Sequence, residues 1–178
     1  MATTKLLIAG SGGQGVMVMG QMIAKAAILE GKKVTYLPSY GPEMRGGTAN
    51  CSVIVSDNEI SCPVINAPTD IVVMNLASMR KFEGKLSAGG RMFVNQSLIT
   101  QDSSRDDIEV HKVDAVEIAK KQLGNEKTSN MVMLGAIVRM TKVVKMESIQ
   151  KVVEKTFAGK KAAMIPLNLE ALEAWQAD

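Results

Sequence analysis

The most constraining feature of the sequence is its first thirty residues, where an apolar run, Lys5 to Ala9, meets Gly10-Ser11-Gly12-Gly13-Gln14-Gly15 and then a helical pattern. A short continuous apolar run suits a strand buried on both faces, as in a sheet covered by helices. From Gln14 to Glu30 the positions Val16, Met19, Gly20, Ile23 and Ala27 recur at helical spacing, and Met17, Ala24 and Ile28 widen the stripe. Little of this helix is expected to face water. Gly31 ends it as a carboxyl-terminal cap, and Val34 to Leu37 reads as the second strand.

The rest of the chain repeats the alternation. Asn50 to Ser56 reads as a strand, reached through a loop too short for a comfortable crossover, so strands two and three are expected antiparallel. Asp70 to Asn75 and Arg91 to Asn95 flank a short helix at Ser78 to Phe82 and the turn Ala88-Gly89-Gly90. Glu109 to Val113 is a further strand, and Asp114 with Glu117 has capping-box spacing for a helix reaching Leu123. Helical intervals return at Asn130 to Thr141, Glu147 to Phe157 and Asn168 to Gln176, with Leu169, Leu172 and Trp175 on one side of the last. The expectation is a single α/β domain over residues 1–178, three-layer α/β/α and Rossmann-like, with a mostly parallel but mixed sheet.

Composition excludes several chemistries. Aromatic residues make up only 3% of the chain, so aliphatic side chains and 13 methionines fill the interior. The net charge of +3 is spread along the chain, with no basic stripe for nucleic acid or membrane. Cys51, Cys62 and the single His111 fall short of the roughly four ligands that an iron–sulfur cluster or structural zinc takes, so no metal site is expected. Both cysteines are expected as small buried hydrophobes, and His111 as a solvated strand residue outside any catalytic triad. The cysteine usage and the absence of an apolar leader at Met1 to Lys5 point to a reducing cytoplasm.

The Gly-rich turn satisfies G-x-G-x-x-G between strand and helix, where free N–H groups and the helix dipole favour an anion. A dinucleotide site also wants an acidic residue near the end of strand two, but that position reads Leu37-Pro38-Ser39-Tyr40. Lys and Ser or Thr are absent after Gly15, so the turn is not a Walker loop. The glycines could equally serve close packing of the first helix. A second loop, Ser39-Tyr40-Gly41-Pro42-Glu43-Met44-Arg45-Gly46-Gly47, leaves the same carboxyl edge of the sheet, so the two loops are expected to be neighbours. Arg45 offers a fork of donors for a carboxylate or phosphate; a solvated Glu43–Arg45 pair is the plainer alternative.

Taken together, GSGGQGVMVMGQMIAKAA, SYGPEMRGGTANCSVIVSD, APTDIVVMN and NMVMLGA resemble the gamma subunits of the 2-oxoacid:ferredoxin oxidoreductases, through nearly the whole chain. The resemblance implies a thiamine-diphosphate enzyme, of EC 1.2.7 type, that converts a 2-oxoacid and coenzyme A to acyl-CoA and carbon dioxide, with electrons passing to ferredoxin. Thiamine diphosphate, magnesium and iron–sulfur clusters would belong to other chains, and none is expected on this chain alone. The implied partners are alpha, beta and, as a further candidate, delta subunits, with self-association into a homodimer left open. Family motifs fall on Gly10, Gly12, Gly13, Gln14 and Gly15, and on Tyr40, Gly41, Pro42, Glu43, Arg45, Gly46 and Gly47. These are expected to face coenzyme A, substrate or a partner subunit, with no catalytic residue among them.

The related beta subunits of indolepyruvate:ferredoxin oxidoreductase share the glycine turn, but usually carry a His-Gly-Met-Ser-Gln-Arg-Gly-Gly type of loop. The loop here favours the 2-oxoglutarate or branched-chain type, and the whole chain leans to 2-oxoglutarate. The remaining alternative is an independent nucleotide-binding protein.

Overall fold

The computed structural model describes residues 3–41 and 47–176. Six strands form one sheet: β1 (Thr4–Ser11), β2 (Lys33–Tyr40), β3 (Thr48–Ser56), β4 (Asp70–Val73), β5 (Arg91–Asn95) and β6 (Glu109–Val113). Their order is β2-β3-β1-β4-β5-β6. β3 lies antiparallel to both β2 and β1, while β1, β4, β5 and β6 are mutually parallel. The sheet is therefore mixed, with β3 as the reversed strand, as the short β2–β3 loop requires.

The helices are α1 (Val16–Leu29), α2 (Leu76–Phe82), α3 (Ala115–Lys121), α4 (Ser129–Thr141), α5 (Met146–Phe157) and α6 (Ile165–Glu173). Their placement makes the three layers unequal. One face of the sheet, through Leu6, Ile8, Cys51, Val53, Val72 and Phe93, packs into a large core with α1, α3, α4, α5 and α6. The opposite face, through Leu7, Ala9, Ile71, Val73, Met92 and Val94, is covered by Met79 and Phe82 of α2 with Leu86 and Ile99.

Local chemistry sets the boundaries. Gly31 (φ 73°) follows α1 and closes a complete Schellman motif: its N–H reaches Ile28 O at 3.0 Å, and the Lys32 N–H reaches Ala27 O at 3.0 Å. Asp70 to Asn75 stops being a strand after Val73 because the Asn75 side chain caps α2, accepting from Ser78 N at 2.8 Å. α6 starts at Ile165, ahead of the expected Asn168, because Pro166 sits in its first turn, where proline is well tolerated. At α3 the capping-box expectation fails. Asp114 makes no side-chain cap, and the first-turn N–H groups of Val116 and Glu117 donate instead to Ser97 Oγ, each at 3.1 Å. The acceptor comes from a different segment, which spacing within the helix cannot reveal.

Three other expectations are corrected. α1 is not apolar-buried all round: Val18, Gln21, Lys25, Ile28 and Leu29 form an outward stripe. Cys62 is exposed, whereas Cys51 is buried, its thiol pushed up to about 12 by burial, with S–H directed at Val16 O, 3.6 Å away. His111 is mostly covered, its side chain only 11% exposed, because it stacks on Phe93 with ring centroids 4.9 Å apart.

Candidate functional site at the carboxyl edge of the sheet

The chain passes from β1 through α1 to one side of the sheet and later returns on the other side at β4. In open α/β sheets ligands bind outside the carboxyl ends of strands where the winding reverses. Here that place is the end of β1, which is where the glycine turn stands.

The turn is held by a ring of amides. Gln14 closes it: its Oε1 accepts from Ser11 N at 2.8 Å, and its Nε2 donates to Met74 O at 3.2 Å. Asn75 Nδ2 donates to Ser11 Oγ at 2.7 Å and to Gln14 Oε1 at 3.2 Å. Asn95 Nδ2 reaches Met74 O at 3.3 Å, and Asn95 Oδ1 is buried with no hydrogen-bond partner. A buried acceptor without a donor costs about 1–3 kcal/mol, so it marks a place able to gain from a donor.

Two glycines are required here for distinct reasons. Gly15 has φ 73°, a left-handed conformation, and a Cβ there would strike Asn130 of α4. Gly13 has φ 97° but faces open space. The turn therefore presses against α4 at one end and leaves its backbone open at the other.

A cavity lies on each side of the turn. The first, about 370 Å³, is lined by Ser11, Gly12, Gly13, Gly15, the first turn of α1, Tyr40, and Gly47 to Ala49. Helix geometry leaves the first-turn N–H groups of α1 without intrahelical acceptors, and no acidic side chain sits in that turn. The expected meeting of the two loops is direct, since Gly12 N–H donates to Gly47 O at 2.9 Å, while within the second loop Gly41 N–H donates to Thr48 O at 2.8 Å. Pro42, Glu43, Arg45 and Gly46, also expected at this site, lie outside the described residues.

The second cavity, about 660 Å³, opens toward β4 and β5 and is lined by Gly13, Gln14, Asn95, Asn125, Lys127 and Asn130 among others. Sequence reasoning missed Asn75, Asn95, Asn125, Lys127 and Asn130 as site residues. A signal existed for two of them: Asn75 and Asn95 each follow an apolar run, DIVVM and RMFV, at the edge where ligands bind.

Both linings supply hydrogen-bond donors, and among the described residues the acid or base side chains lining the second are Glu126 and Lys127. Among the described residues no group of three or more His, Cys, Asp or Glu gathers in one place. Cys51 is locked beneath α1 and Cys62 is on the surface, so the described thiols do not fit an iron–sulfur cluster. The backbone N–H groups of the turn and the side chains of Asn95, Asn125, Lys127 and Asn130 suit hydrogen bonding to a polar ligand, with Glu126 beside them.

Known proteins share this frame. The family model described as pyruvate ferredoxin/flavodoxin oxidoreductase matches residues 5–175. The ketoisovalerate oxidoreductase subunit VorA of Methanothermobacter thermautotrophicus is 36% identical over 171 residues, 96% of this chain and 35% of that protein. The chain thus spans about a third of the length of that relative. The 2-oxoglutarate synthase subunit KorC of Methanocaldococcus jannaschii is 31% identical over 151 residues, 84% of this chain and 81% of that subunit. The crystal structure of the gamma subunit of a keto/oxoacid ferredoxin oxidoreductase from Geobacter sulfurreducens PCA superposes with a TM-score of 0.81 at 29% identity, covering 96% of this chain and 95% of that one. With the match running from the first strand to Trp175, beyond the last helix, this chain belongs to the pyruvate ferredoxin/flavodoxin oxidoreductase family.

Proposed function

We propose that this chain is the gamma subunit of a cytoplasmic, multi-subunit, thiamine-diphosphate-dependent 2-oxoacid:ferredoxin oxidoreductase. The complex would decarboxylate 2-oxoglutarate oxidatively, join the acyl group to coenzyme A, and pass two electrons to ferredoxin. The observation that carries the reading is similarity to a 2-oxoglutarate synthase subunit that spans most of both chains. The site geometry supports it: the carboxyl edge offers backbone N–H groups and amide side chains around two cavities, as a surface that holds a ligand would.

In this reading thiamine diphosphate, magnesium and the clusters sit on alpha, beta and delta chains. The Gly10–Gly15 turn, with Lys127 and Asn130, faces the phosphates and amides of coenzyme A. Tyr40, Gly41, Gly47 and the Arg45 loop face the 2-oxoacid end or the neighbouring chain. A branched-chain 2-oxoacid is the second reading for the substrate, favoured by the 36% identity to a ketoisovalerate oxidoreductase subunit.

The test is kinetic. Arg45→Ala in the assembled complex is expected to raise KM for coenzyme A or for the oxoacid by about tenfold or more, the worth of one charge-assisted hydrogen bond. Unchanged kinetics in an intact complex would remove Arg45 from the ligand path. Oxoacid oxidation by the isolated chain would overturn the reading itself.

A further inference from the structure

Far from the glycine turn, α1 and α5 leave a groove between them at the carboxyl end of α1. It has a volume of about 310 Å³ and is lined by Lys25, Ile28, Leu29, Val152, Lys155 and Thr156. Its floor and walls are apolar: Val152 is buried, while Ile28 and Leu29 are 61% and 49% exposed. Single exposed apolar residues are ordinary, but here two adjacent large ones share one concavity.

The groove continues the outward stripe of α1. Val18, Gln21, Lys25 and Ile28 follow one another at intervals of three and four residues, so they lie along one line of the helix surface. Val18 at the head of the line is 37% exposed. A concavity between two packed helices, prolonged by a ridge of this spacing, has the shape that receives a third helix, ridges into grooves.

Charge identifies the kind of helix. The ionisable side chains lining the groove are Lys25 and Lys155, and neither has an ion-pair partner among the described residues. The lysines just beyond α1 are paired, Lys32 with Glu30 at 3.0 Å and Lys33 with Glu59 at 2.8 Å. The rim is thus positive and unneutralised around an apolar floor.

We propose that the α1–α5 groove docks an amphipathic helix from another subunit of the complex, whose apolar stripe is flanked by Asp or Glu. The inference rests on the gamma-subunit reading. The α1 residues of the groove begin at Lys25, about 15 Å along the helix from the glycine turn, so changes there leave the coenzyme-facing edge intact.

The experiment titrates this full chain into the remaining subunits purified together without it, reading affinity by sedimentation at low and high salt. The double variant Ile28→Asp/Leu29→Asp is expected to bind about a hundredfold more weakly, from lost apolar burial. Lys25→Glu/Lys155→Glu is expected to bind about tenfold more weakly and to lose most of the salt dependence of the wild type. All four positions are exposed, so the variants should fold; circular dichroism and a Leu29→Ala variant, with a smaller loss, check this. Unchanged affinity in both double variants overturns the groove proposal while leaving the gamma-subunit reading in place. Loss of a homodimer with unchanged binding to the other subunits overturns the chosen occupant. Failure of the wild type to associate at all overturns both.

Discussion

At the residue scale the glycine turn separates two roles that its sequence runs together. Gly13 and Gly15 both adopt left-handed backbone, yet only Gly15 lies against a neighbour, Asn130. Gly13→Ala is expected to cost about 1 kcal/mol, the conformational penalty alone. Gly15→Ala adds overpacking against α4 and is expected to cost about 3 kcal/mol or more in total. Urea unfolding of the two variants checks the order; equal losses would contradict the contact. The glycine spacing marked both positions as backbone requirements. Which one carries packing was illegible, because Asn130 lies more than a hundred residues away in sequence.

His111 gives a second residue-scale prediction. Burial against Phe93 pushes its pKa below the ordinary 6.5, opposed by the Glu109 carboxylate, whose Oε1 lies 3.1 Å from Nε2, and aided by the Arg91 cation. Because the folded value lies below the unfolded one, the unfolded chain binds this proton first as pH falls. The group's contribution to stability is therefore intact above about pH 6.5 and is lost as pH drops from there through the folded value. Melting temperatures from pH 8 to pH 5 should fall on the acid side, and His111→Phe, which keeps an aromatic ring over Phe93, should flatten that part of the profile. An unchanged profile would mean that the histidine is solvated after all.

At the element scale, strands and long helices were legible because their periodicity is local. β5 and β6 stand at the residues the sequence predicts, and α5 keeps its expected carboxyl end at Phe157. What failed was the origin of caps and the exposure of faces, both of which depend on distant segments. α3 is the instructive case, since Ser97, not Asp114, accepts the N–H groups of its first turn. Ser97→Ala is expected to lower stability by about 1 kcal/mol and Asp114→Ala by less, measured by chemical denaturation. The reverse order would restore the capping box. The outward stripe of α1 was hidden for a related reason: with so few polar residues in the helix, periodicity gave no contrast between the face that meets the sheet and the face that does not.

At the scale of the whole molecule, the order β2-β3-β1-β4-β5-β6 brings the glycine turn, Tyr40 and Gly47 to one edge, where sequence topology had placed them together. The larger cavity on the far side of the turn is not legible in the sequence, because Asn95, Lys127 and Asn130 converge only when α4 packs against β5 and α1. The edge so assembled gathers backbone N–H groups and amides around two cavities, and the α1–α5 groove adds two lysines without ion-pair partners among the described residues.

The most direct measurement is add-back. The remaining subunits, purified without this chain, should show little coenzyme-A-dependent reduction of ferredoxin by 2-oxoglutarate or a branched-chain 2-oxoacid, and stoichiometric addition of this chain should restore it. Full turnover without the chain, or no gain on adding it to subunits that bind it, would contradict its place as the gamma subunit.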